Sequence, residues 1–220
     1  MEARTAQAPR SRSHSAAAAK RAHGILAGFI LIFIVVHFAT HFAALGGAQA
    51  HAAALDLARP VYQFPLVEIA LVMALATQIV LGIRLLTLIR KRVRKGLWHK
   101  VQFASGAYLA FFIILHTSAA VITRLFVGLD TNFYWAAGTV VLAPLKYGFT
   151  PYYVLAVTAI ASHLLAAMHF RRPRPWQVPA LAIGPLLGIT FVFGYGGAFQ
   201  PVELPQEYRD YLATFPGVAS

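Results

Sequence analysis

Five apolar runs constrain this chain more than any other feature. They cover about 23–46, 63–89, 98–126, 151–170 and 176–197. Each is about 20 residues or longer, enough to cross a hydrocarbon core of about 30 Å at about 1.5 Å per helical residue. Lipid offers backbone N–H and C=O groups no partner, so such runs fold as helices. The charged content, 12%, is half the roughly 25% of a soluble domain. The expected fold is an all-α membrane protein, a five-transmembrane-helix bundle over 21–199. A basic tail over 1–20 is expected to be disordered, and residues 200–220 form a C-terminal extracytoplasmic tail. The outer loops fall at 47–62, with His51 and Asp56, and at 128–150, where AAGTVVLAPL suits a short helix at the interface.

Charge sets the expected orientation. Residues 1–22 hold five Lys/Arg, 84–100 hold seven and 171–174 hold three, so 15 of the 19 basic residues flank alternate ends of the runs. By the positive-inside rule the N-terminus is inside and the C-terminus outside. The net charge of +12 is thereby assigned to membrane flanks, and nucleic acid is not an expected partner. With no cysteine, disulfides, thiolate metal sites and an iron–sulfur cluster carried by this chain are excluded.

An ionisable side chain inside such a run is expensive and marks function by default. His37 lies about 14 residues into the first run, ~21 Å deep, and His116 lies about 17 residues beyond Trp98, ~25 Å deep. Both runs have the same direction, so the two imidazoles share an outer level. The fourth and second runs go the other way. His163 and Gln78 lie ~18 Å and ~22 Å from their outer ends, on an inner level. Two neutral imidazoles at one height on rigid helices suit the two axial positions of a haem iron. Gly28 and Ala39 on the first run, and Ser105, Gly106, Ala119 and Ala120 on the third, would let a porphyrin approach the backbone. The plainer alternative is that each imidazole hydrogen-bonds a neighbouring helix.

Four stretches carry a family resemblance: RAHGILAGFILIFIVVHFATHFAALGG, VEIALVMALATQIVLG, QFASGAYLAFFIILHTSAA and YVLAVTAIASHLLAAMHF. Together they resemble the membrane cytochrome b subunit of succinate:quinone oxidoreductases, in its single-polypeptide, five-helix form with two haems b. The resemblance implies that His37 and His116 ligate the outer haem iron and that His163 is one ligand of the inner haem. The second inner ligand falls on Gln78, four residues before Gly82. Glutamine is a poor haem ligand, and His23 and His169 are read as lying nearer the cytoplasmic surface. One haem b is therefore expected, with two as the alternative. The resemblance also implies quinone as redox partner, a multi-pass place in the inner (plasma) membrane, and a cytoplasmic iron–sulfur subunit and flavoprotein docked on residues 84–100.

Further residues fit this chemistry. Glu68, the only acid inside an apolar run, is a candidate to accept a quinol proton or to hydrogen-bond a ligand imidazole or propionate. His41, one turn from His37, is a candidate contact for a propionate or a quinone carbonyl. Arg124 suits bidentate pairing with a propionate. Gln102, Ser105, Tyr108, Gln78 and His163 would line an inner polar pocket, or His163 and Gln78 would bond directly. The expected function is that of an electron-transfer subunit of a succinate dehydrogenase- or fumarate reductase-like complex. The alternatives are a stand-alone one-haem quinone oxidoreductase at the outer face, acting on superoxide or a periplasmic carrier, and a haemless structural membrane subunit.

Overall fold

The computed structural model describes residues 8–90 and 96–218, with side chains from Ser15 onward. The described α-helices are α1 (Ala8–Ala43), α2 (Ala48–Tyr62), α3 (Pro65–Ile89), α4 (Leu97–Ile122), α5 (Phe133–Val141), α6 (Leu145–Arg171), α7 (Ile183–Tyr195) and α8 (Gln206–Ala213). No strand occurs among the described residues. Five stretches are long and apolar enough to cross a membrane: Ser15–Gly46, Pro65–Ile89, Leu97–Val127, Leu145–Arg171 and Pro175–Tyr195. They coincide with the five expected runs. The last reaches its length through two 3-10 turns, Pro175–Gln177 and Pro179–Ala182, that lead into α7.

The spans pack as a ring in the order α1, α3, α4, α6, α7. Contacts of α7 with α1 and with the turn Ala44–Gly46 close it. Ile32, Val35, Met73, Val80 and Leu186 point outward, each more than half exposed. A soluble monomer does not carry an apolar surface of this extent, whereas acyl chains solvate it as well as leucine would. The tightest seam is α6 against α7. A Cβ on Gly184 would stand 2.7 Å from the Thr158 Cα, and one on Gly188 would stand 2.9 Å from the Val154 Cα. These glycines, four residues apart, let the two backbones meet, as small residues do between membrane helices.

One end of the ring carries a folded cap. Gly47, at φ 87°, reverses the chain into α2, so the expected 47–62 loop is a helix. The short helix expected within 128–150 exists as α5, capped by Asn132 Oδ1, which accepts the Tyr134 N–H at 2.9 Å. Phe133, Ala137 and Val140 are buried in a cluster with Ala44, Tyr195, Leu204 and Leu212. The expected C-terminal tail folds back over them as α8. Leu204, Tyr208 and Leu212 recur every fourth residue, an apolar stripe, and all three are buried. Tyr208 donates to the Asp130 carbonyl at 3.0 Å, and Arg59 of α2 clasps the Asp130 carboxylate through two bonds at 2.7 and 3.2 Å. At the other end, the tail expected to be disordered over 1–20 is helical from Ala8. Its first seven positions lie outside the described residues.

The α6–α7 seam yields a test. Gly188→Val forces the backbones apart and costs about 1–3 kcal/mol, the usual penalty of overpacking. Thermal melting of detergent-solubilised protein should show a clear drop for this variant. Gly148→Ala, where an added Cβ meets nothing within 4 Å, should leave the transition in place.

Candidate functional site

The ring of spans encloses a cavity of about 1100 Å³ that runs from Lys20 and His23 on α1 to His51 and Tyr195 beneath the cap. Ligand pockets usually occupy about 300–1,000 Å³, so this one admits more than one small group. Seven of the nine histidines line it, and imidazoles are therefore its chief polar groups.

At the capped end, His37 of α1 faces His116 of α4 with ring centroids 6.1 Å apart and planes at 59°. Each ring is steadied by a phenylalanine one turn earlier on its own helix. Phe33 stacks on His37 at 5.3 Å and 17°, and Phe112 stacks on His116 at 5.0 Å and 12°. Such i, i+4 neighbours share a helix face, so the spacing itself aims both imidazoles inward. Trp135 of α5 closes the His116 side at 6.3 Å.

A hydrogen-bonded chain leads from this pair to the cap. His37 Nε2 lies 3.0 Å from His41 Nε2, His41 Nδ1 lies 2.7 Å from the Tyr195 hydroxyl, and that hydroxyl lies 2.9 Å from His51 Nε2. Proton counting permits two arrangements, because a phenol has one proton to give. When Tyr195 donates to His41, His41 donates to His37 and His51 donates to Tyr195. When Tyr195 donates to His51, every bond reverses. The chain can therefore pass one proton between the cavity and the cap. His51 itself is buried, 3% exposed. Burial, then the Arg59 guanidinium, pushes its imidazole down to about 4, against the opposing pull of Asp130.

Two residues singled out separately in the sequence are partners. Glu68 stands in the first turn of α3, behind Pro65, where a helix N-terminus favours negative charge. Arg124 stands in the π-helical turn Thr123–Val127 that continues α4. Their side chains form an ion pair on the cavity wall. Arg124 is thus held by a carboxylate of its own chain.

The inner level departs from the expected pairing. Gln78 does not bond His163. Its Nε2 lies 3.4 Å from His23 Nε2, while His163 Nδ1 lies 3.1 Å from the Ser105 hydroxyl. Ser105 gives its proton to the Val101 carbonyl at 2.6 Å, so its oxygen accepts the His163 Nδ1–H and leaves Nε2 with a lone pair. Gln102 lines the cavity as expected. Tyr108 instead donates to the Tyr152 carbonyl at 2.8 Å and ties α4 to α6. Sequence reasoning missed His23 as a cavity residue, because depth was counted from the first apolar residue rather than from the helix start. It also missed Tyr195, whose signal is a phenol ending an apolar run. A buried tyrosine hydroxyl needs a partner. Compared with known proteins, the chain matches no family model, no curated protein and no solved structure.

The depressed His51 sets a pH dependence. An unfolded histidine titrates near 6.5, so burying this one neutral contributes stability that is complete above pH 6.5 and is lost as pH falls from 6.5 through about 4. The loss amounts to about 3 kcal/mol at most. Melting curves across this window should show the decline, and His51→Gln should make it shallower.

Proposed function

We propose that this protein is a membrane cytochrome b that exchanges electrons with the quinone pool, after the manner of the succinate:quinone oxidoreductase subunit it resembles. One haem b is held by His37 and His116. The observation that carries the reading is the opposed imidazole pair. The two ring centroids stand 6.1 Å apart, and two neutral imidazoles brought together on rigid helices suit a haem iron. The cavity between the rings is apolar and roomy, as a porphyrin requires, and a haem bound there supplies one-electron transfer.

The chain's own residues supply the rest. His37 and His116 would hold the iron, and His41, whose Nε2 lies 3.0 Å from His37 Nε2, would be left to contact a propionate or a quinone oxygen. Oxidation of a quinol would release two electrons, passed one at a time through the haem to the electron-accepting partner, and two protons. The Glu68 carboxylate beside Arg124 would take one proton, and His41, in the arrangement in which it donates to Tyr195 and Tyr195 to His51, would take the other at Nε2 and pass one on toward the cap. In this reading the cap faces outward, the basic ends of α1, α3 and α6 face the cytoplasm, and the membrane is the plasma membrane. The basic residues of 84–100 then meet an iron–sulfur subunit and its flavoprotein.

The test is a pyridine haemochrome assay on protein purified from haem-replete cells. Haem b should be present in the wild type, and His37→Ala or His116→Ala should each remove one equivalent per chain. A wild type without haem, or variants with undiminished haem, would overturn the reading.

A further inference from the structure

We infer that the inner end of the cavity opens sideways between α1 and α6 and takes an acyl chain of an anionic phospholipid, whose phosphate is gripped by Lys20 and Arg171. The lipid's place depends on the membrane-spanning bundle alone and not on the haem. The opening follows from how the ring closes. At the capped end α1 meets α7, with Phe38, His41 and Phe42 against Phe191. Toward the other end, α1 and α6 do not pack along each other. Gly24 of α1 and Ala167 of α6 line the cavity and are nonetheless exposed. Leu164, on the same wall, is 39% exposed. A Cβ on Gly24 would meet nothing within 4 Å. The slot between the two helices is apolar, and in a bilayer it faces acyl chains.

Charge marks the mouth of this slot. The facing His23 and His163 rings align the two helices in depth. From them, Lys20 lies ~4.5 Å and Arg171 ~12 Å nearer the basic end. The two helices run in opposite directions. Because a Cβ tilts toward the N-terminus of its own helix, Lys20 leans toward the mouth and Arg171 leans back from it, so the two cations converge in depth. Both line the cavity. Among the described residues, the only carboxylate on its wall is Glu68, which is paired with Arg124. A phosphate supplies the missing anion, as in basic pockets between membrane helices. One further group favours a lipid over a bare anion. His23 Nδ1 is buried without a hydrogen-bond partner, although such groups rarely go unpaired. It stands deeper than Lys20, as the ester carbonyls of a glycerolipid stand deeper than its phosphate. Such a carbonyl accepts from His23 in the Nδ1–H tautomer.

Native mass spectrometry of the detergent-solubilised full chain tests this, with dioleoyl phosphatidylglycerol and dioleoyl phosphatidylcholine offered in equal amounts. Phosphatidylglycerol should be retained, one per chain, in preference to phosphatidylcholine. Lys20→Gln combined with Arg171→Gln should weaken that retention about 30-fold, the effect of two charges beside a phosphate. Lys146→Gln, at the start of α6, should leave it unchanged. Gly24→Trp fills the slot and should prevent retention with both cations in place. Circular dichroism in lipid-free detergent reports that each variant has folded. Equal retention of the two lipids, or undiminished retention in the double variant or in Gly24→Trp, would overturn the inference. Displacement of the lipid by inorganic phosphate would also overturn it, by showing a site for a free anion.

Discussion

The structure depends on keeping polar imidazoles satisfied inside a ring of apolar helices. A polar group left bare in such surroundings costs several kcal/mol, and seven histidines line one cavity here. Five of them answer the cost in different ways. His37 and His41 bond each other, and Tyr195 extends their chain to His51. His163 leans on Ser105. His116 is stacked on Phe112 and faces His37. The positions of the spans follow from these demands as much as from apolar contact, since a lipid-facing surface gains little by burying leucine against leucine.

The cap makes this possible. Tyr195 ends α7 at the point where α2, α5 and α8 close over the ring, and its hydroxyl joins a span to a surface helix. The same cap is bound together by Arg59, Asp130 and Tyr208. The polar chain from His37 therefore ends under a rigid lid of protein, not in open water.

The spans were legible because length and apolarity are sufficient signals for a membrane helix. The nearness of His37 and His116 was legible too, because each sits six residues before the end of its helix, at Ala43 and Ile122, so counting along the two helices brings them to one depth. Short elements were not. Helices α2 and α5 occupy stretches whose composition also suits loops, and α8 reveals itself only through the spacing of Leu204, Tyr208 and Leu212. The inner level failed for two separate reasons. The α1 helix starts well before its apolar stretch, which brings His23 into the bundle. Ser105, a small hydroxyl on α4, competes with Gln78 for His163 and wins through its fixed bond to Val101. Depth along a helix can be counted, but the choice among neighbours at one depth depends on how the helices are rotated.

Rotation also ties the two levels together. His23 and His37 are 14 residues apart on the unbroken helix α1, and at about 100° per residue this falls only about 40° short of four full turns. Both rings thus leave the same side of one rod. Their counterparts sit on α4 and α6, which Ser105–His163 and Tyr108–Tyr152 fasten to each other. The bundle behaves at this seam as two rigid parts, a ruler and a frame. A shift of α1 along its axis changes both imidazole separations at once, so the two levels share a single mechanical coordinate.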